Sequence, residues 1–243
     1  RRLRERKRRP DKPLAVMFPQ RGADGLDAAR EELVIGPIEQ AALTDPARSI
    51  VLVPRRPDGR IAPSVAPGLG EVGAFLPYSP LHHLLLAGFG GPVVATSGNV
   101  SGEPVLTDPA EAESRLAAVA DAFLHHDRPI VRPADDSVVR IAAGRARPIR
   151  LGRGIAPLEL ELPVALPEPV LAVGGHLKLT VALAWGKRVV ISPHVGDMGT
   201  RRSELVFEQV ARDLQHLYDV RATRWLCDAH PGYTTTRWVQ SLG

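Results

Sequence analysis

Pro92-Val93-Val94-Ala95-Thr96-Ser97-Gly98-Asn99-Val100-Ser101-Gly102-Glu103-Pro104 is an apolar run that opens into a small polar turn. The apolar half reads as a buried strand. A polar, glycine-bearing turn at a strand's end is where an α/β sheet usually places a ligand loop. Glycines let the backbone approach a ligand, and Ser97 and Asn99 offer short polar side chains. A plain Asn-Gly turn has the same composition, and this stretch alone leaves the two readings even.

Upstream, Pro80 starts a helix through Leu86, and Ser49–Val53 and Pro13–Phe18 read as strands. Helices are predicted over 25–35 and 38–43, and a Pro/Gly-rich loop over 57–73. Residues 1–9 read as the end of a helix closed by Pro10. Downstream, Asp108 is a fitting N-cap for a helix to Val119, with Pro109 at its first position. Strands are predicted at Ala122–Leu124, Ser137–Ile141 and Pro148–Leu151. Strands and helices without regular alternation predict an α/β sheet of mixed direction.

Gly152 to Pro169 holds two glycines and four prolines with little periodicity, and is the best domain boundary. Beyond it, Val170–Val173, Leu179–Ala184 and Arg188–Ser192 read as a meander with turns at Gly174-Gly175 and Gly186-Lys187. A helix from about Ser203 to Tyr218 and a strand at Trp225–Asp228 follow.

The chain has 243 residues, enough for one domain and a half. Its single cysteine, Cys227, excludes an internal disulfide and a cysteine-based zinc finger within this stretch. A cytoplasmic setting is expected, and no apolar run has the length of a membrane span. No HxxxH or HExxH pair is present, so no metal site is assigned.

The basic excess is concentrated in Arg1–Lys12. Lys7, Arg9 and Lys12, held near two prolines, suit a polyphosphate, arginine by its bidentate fork. A solvated helix end with no partner is the plainer reading of such a run. In Arg132–Arg140, Ser137 heads a strand where its hydroxyl could meet a phosphate. Asp135 and Asp136 read more readily as an acidic loop than as a magnesium site. Gly174-Gly175-His176-Leu177-Lys178 is a glycine turn bearing a cation, and Ser192–Asp197 closes a strand. An RNA-binding module is a competing class for a basic chain, but aromatic residues make up only 5% and none lies in the basic tract.

Taken in order, these strings resemble the hydrogenase-maturation carbamoyltransferases of the HypF family. The carriers in the first part are Lys7–Met17, Leu76–His83, Thr96–Gly102 and Asp135–Arg140. Those in the second are Gly174–Lys178, Ser192–Asp197 and His230–Tyr233. The resemblance implies a YrdC-like domain over 1–157, a linker over 158–167 and the start of an actin-like, Kae1-like domain over 168–243. It implies that carbamoyl phosphate, through carbamate, and ATP give carbamoyl adenylate and pyrophosphate. The carbamoyl group then passes to the C-terminal cysteine of the acceptor protein HypE. Lys7 and Arg9 fall on the family's K-x-R motif and Ser97 and Asn99 on its S-x-N motif. Ser137 and Arg150 match later phosphate-contacting positions, and His176 and Lys178 are candidates in the transfer half. Magnesium is expected with ATP. A further metal of the Kae1-like half is expected only from histidines beyond Gly243. The ends at Arg1 and Gly243 are expected to be cuts, because Arg1 opens inside a basic helical stretch and Gly243 comes just after a helix-like segment, and the family's acylphosphatase and zinc-finger segments have no counterpart in this stretch. An antibiotic-tailoring O-carbamoyltransferase shares both domains and differs in acceptor. Threonylcarbamoyl-adenylate synthases lack a counterpart of Gly174–Lys178.

Overall fold

The computed structural model describes residues 1–242 and divides them into two compact units. The first comprises Arg1–Ser97 with Asp136–Gly154, and the second Gly98–Asp135 with Ile155–Gly243.

The first unit is built on six strands in the order β4-β1-β3-β2-β5-β6. These are β1 (Ala15–Met17), β2 (Ile50–Pro54), β3 (Glu71–Phe75), β4 (Val93–Ala95), β5 (Val138–Ala142) and β6 (Arg145–Arg150). β1 runs parallel to β3 and β2 to β5, whereas β4, β3 and β6 each make an antiparallel pair with β1, β2 and β5. The sheet is therefore mixed, as the irregular alternation predicts. Period-2 alternation sends Leu14, Val16 and Phe18 to one face, where they meet Val51, Val53, Val72 and Ala74. Leu26, Leu33 and Leu43 close that core from the helical side. Met17 and Phe75 point to the other face and pack on Leu86.

The helices are capped as their sequences dictate. In α4 (Pro80–Phe89) the Ser79 hydroxyl accepts from His82 N at 3.3 Å, and Gly90 ends the helix at φ +81°. In α3 (Pro37–Thr44), Glu39 reaches back to Gly36 N at 3.1 Å. A short α1 (Arg2–Arg6) opens the chain, and the helix predicted over 25–35 shrinks to α2 (Asp27–Arg30). There Leu33 instead bridges to Arg55, which draws the chain out of the helix.

In the second unit, β7 (Leu158–Ala172) pairs antiparallel with β8 (Ala182–Ile191) and parallel with β9 (Arg224–Leu226). The amphipathic α6 (Arg201–Tyr218) buries Phe207, Ala211 and Leu214 in a core with Leu171, Val181, Leu183 and Val190. Helices α5 (Pro109–Leu116) and α7 (Thr234–Gln240) complete it. Asp108 caps α5 as expected, accepting from Glu111 N at 2.7 Å.

Four readings are corrected. Residues 158–167, expected as a linker, form most of β7. Its register slips between Glu161, Leu166 and Val170, the stretches that hold Pro163, Pro167 and Pro169. A proline has no N–H for the ladder, so the strand tolerates these only where pairing lapses. Gly186 does not turn the chain, because it sits within β8 opposite Leu166. Val93–Ala95 is an edge strand rather than a buried one, with Val94 44% exposed. Ala122–Leu124 forms no strand, and Leu124 lies open to solvent.

Candidate functional site

Arg4 organises the basic tract. Its buried guanidinium donates to the carbonyls of Arg9, Pro10 and Lys12 at 2.9–3.0 Å, to Val65 O at 2.8 Å, and to Ser64 O. Five carbonyls gathered on one fork fix the chain from residue 9 to 12 as a rigid turn. The lysines and arginines around that turn are thereby held in place before any ligand arrives, which lowers the entropy cost of binding.

Lys7 and Arg9 project from this turn to the end of β4. Lys7 Nζ donates to Ser97 O at 2.7 Å and to Thr96 Oγ1 at 3.4 Å, and Arg9 Nη1 donates to the same hydroxyl at 3.1 Å. Arg9 Nη2 donates to Pro13 O at 3.1 Å, while its buried Nε has no hydrogen-bond partner. Lys7 is buried. Burial first, and then the charges of Arg9 and Lys12, lower its pKa to about 8. Arg9 is pushed down by burial, by Arg4 and by Arg150, so Arg150 lies near enough for its charge to be felt. Cations that depress one another in this way favour the approach of an anion.

Arg150 Nε donates to Asp136 O at 2.9 Å. Ser137, fully buried, donates to Arg153 O at 3.0 Å and accepts from Gly152 N at 2.9 Å. Its one proton is thus committed to holding the Gly152–Arg153 turn. Arg153 pairs with Asp136 at 3.1 Å and lies over the Tyr78 ring, 3.5 Å from its centroid. Asp136 therefore serves an ion pair in the first unit. His82 packs edge-on against Tyr78, as a packed histidine should, with ring centroids 4.5 Å apart. Lys12 is exposed. Asn99 belongs to the second unit, where its amide donates to Glu103 O at 2.7 Å.

The motifs singled out near the end of the chain meet one another in the second unit. Gly174 adopts φ +61°, and a Cβ there would stand 2.8 Å from Thr180 O, so only glycine fits. Lys178 closes on Asp197 through its backbone N–H at 2.9 Å and its Nζ at 3.1 Å, and Met198 N donates to His176 O at 2.9 Å. Tyr233 stacks on both His176 and His230, at centroid distances of 5.3 and 4.2 Å. Thr235 Oγ1 donates to Gly174 O at 3.3 Å. Strings at 174–178, 192–198 and 230–235 thus form one locus.

Sequence reasoning missed Arg4 and Thr96. Arg4 lies within the basic run, but carbonyls some sixty residues away decide its role, and no spacing rule finds them. Thr96 heads the quoted turn, and its position directly after the strand was the available signal.

The family model for Sua5, YciO and YrdC, described as telomere recombination, matches residues 1–152, and the HypF Kae1-like domain matches residues 165–243. The carbamoyltransferase HypF of Synechocystis sp. is 41% identical over 239 residues, which are 98% of this chain and 30% of that protein. The chain belongs to the Sua5, YciO and YrdC family over its first part, and its second part matches the HypF Kae1-like domain. The carbamoyltransferase HypF of Rhodobacter capsulatus is also 41% identical, over 97% of this chain and 31% of that one. The chain therefore spans about a third of the length of the curated HypF relatives it matches. A solved structure of full-length HypF in its phosphate- and nucleotide-bound form superposes with a TM-score of 0.90 at 35% identity, over 99% of this chain and 37% of that one. No helix among the described residues is long and apolar enough to cross a membrane.

Proposed function

We propose that this chain takes part in hydrogenase maturation by forming carbamoyl adenylate, with Lys7, Arg9, Lys12, Ser97 and Arg150 receiving the phosphates of ATP. Convergence of Lys7 and Arg9 on Thr96 and Ser97, with Arg9 Nε still lacking a partner, carries this reading. In the reaction a carbamate oxygen attacks the α-phosphorus of ATP, and the bond to pyrophosphate breaks. Negative charge then grows on the departing pyrophosphate. Fixed cations opposed to that charge stabilise the transition state, and they need no reorganisation because Arg4 already holds their turn. Arg150 acts through its outer nitrogens, and Ser137 acts by fixing the Gly152–Arg153 turn. Asn99, two residues beyond Ser97, is the second polar member of the S-x-N motif and is assigned a part in nucleotide binding.

The locus around Gly174, His176 and Lys178 is assigned to the transfer half, which would pass the carbamoyl group to the terminal cysteine of HypE. Magnesium would enter with ATP, held chiefly by the phosphates. Among the described residues no group of three or more His, Cys, Asp and Glu could hold a metal ion. We place the reaction in the cytoplasm and propose two domains, the first over 1–157 and the second beginning with β7 rather than at residue 168.

Exchange of labelled pyrophosphate into ATP tests the reading. It should depend on carbamoyl phosphate, or on carbamate supplied from ammonium and bicarbonate, and should fall at least tenfold in Lys7→Ala and in Asn99→Ala. Exchange that ignores both substitutions removes the site assignment.

A further inference from the structure

The turn that carries Asn99 and the turn that carries His176 and Lys178 are fastened to the same place in the second unit, the first turn of α6 and the loop that enters it. From the Asn99 side, Leu106 N donates to Gly98 O at 2.9 Å, and the Asn99 amide donates to Glu103 O at 2.7 Å. The Glu103 carboxylate pairs with Arg115 at 2.8 Å, and Arg115 pairs with Glu111 at 3.2 Å. The same Glu111 oxygen accepts from Arg202 Nη1 at 2.6 Å, and Arg202 Nη2 reaches Val105 O at 3.4 Å. From the other side, Met198 N holds His176 O and Asp197 holds Lys178. Thr200 then caps α6 reciprocally with Ser203.

Three of the four charged side chains in this chain are at most a third exposed, and Glu111 is scarcely more so. Such pairs keep more of their Coulomb energy than fully exposed ones. Glu111 is the node. Arg202 first, and Arg115 with it, keep its carboxyl below the ordinary glutamate range.

We propose that Arg202 is a positioning residue for nucleotide binding: by anchoring Glu111 to α6 it sets the Asn99 turn, and α6 thereby braces both ligand turns. The inference rests on the assignment of Asn99 to the nucleotide site, and it deepens that assignment. A purely local role for Arg202 would stabilise α6 without changing how the 98–106 turn opens or how ATP binds.

Two readouts on Arg202→Ala test it, with Arg201→Ala, an exposed neighbour paired to Glu204, as the control. The amide of Leu106 should exchange faster in Arg202→Ala while the core amides of Val181 and Leu183 keep their rates. The Kd of Mg·ATP should rise roughly tenfold, the low end of the effect of losing one charge-assisted hydrogen bond. Arg202→Lys should recover only part of this, because an ammonium cannot fork between Glu111 and the Val105 carbonyl. The double variant Arg202→Ala with Glu111→Gln should be no weaker than the weaker single variant, since both break one route. An unchanged Leu106 exchange rate overturns the proposal. So does faster exchange with unaltered ATP affinity when Asn99→Ala weakens ATP. If Asn99→Ala itself leaves ATP binding unchanged, the nucleotide assignment fails, and Leu106 exchange still decides whether Arg202 sets the turn.

Discussion

Lys7 is the perturbation with the clearest consequence. Its pKa lies at about 8 rather than the ordinary lysine value of 10.5, because burial and the neighbouring Arg9 and Lys12 oppose its charge. That difference corresponds to roughly 3 kcal/mol held against the ammonium at neutral pH. A phosphate beside Nζ favours the charged form and raises the pKa in the complex. Binding therefore takes up a proton once the solution is above about pH 8, and affinity falls there. Arginines do not titrate in this range, so the arginine members of the site add no slope. Calorimetric titration with Mg·ATP between pH 7.5 and 9.5 should show Kd rising about tenfold in the native chain and staying level in Lys7→Met. Stability without ligand should move the other way. The folded pKa is below the unfolded one, so between about pH 8 and 10.5 the unfolded chain holds more protons and the fold gains stability as pH rises. An ATP affinity that is flat across the window in the native chain would refute the reasoning, because it would mean that no anion approaches Lys7.

Two substitutions test the supports beneath the ligand loci. Gly174→Ala forces a side chain into φ +61° and to within 2.8 Å of Thr180 O, and should cost the second unit about 1–3 kcal/mol in chemical denaturation. Ser137→Ala strands Gly152 N and Arg153 O and should cost about 1–3 kcal/mol. Ser137→Thr keeps the hydroxyl but adds a methyl at a fully buried position and should cost about 1–3 kcal/mol by overpacking in the same measurement.

What the sequence made legible were features that local chemistry decides. Pro80 and Pro109 behind Ser79 and Asp108 mark two helix starts without reference to the rest of the fold. Lys7 and Arg9 stood out because two prolines interrupt a run of cations. Features decided at long range were not legible. Arg4 looked like any other member of the basic run, yet it ties residues 9–12 to Ser64 and Val65. The prolines of 158–167 suggested a linker, since only the partner strand reveals that they occupy lapses in pairing. Val93–Ala95 looked buried by composition, and its edge position depends on where β1 lies. The common brace on α6 joins residues about a hundred positions apart and has no local signature.

Pyrophosphate exchange by Lys7→Ala bears most directly on the whole account. With carbamate present, the native chain should exchange label into ATP and the variant should be at least tenfold slower at saturating magnesium. Equal rates for the two would mean that the buried ammonium beside Ser97 does not face the nucleotide.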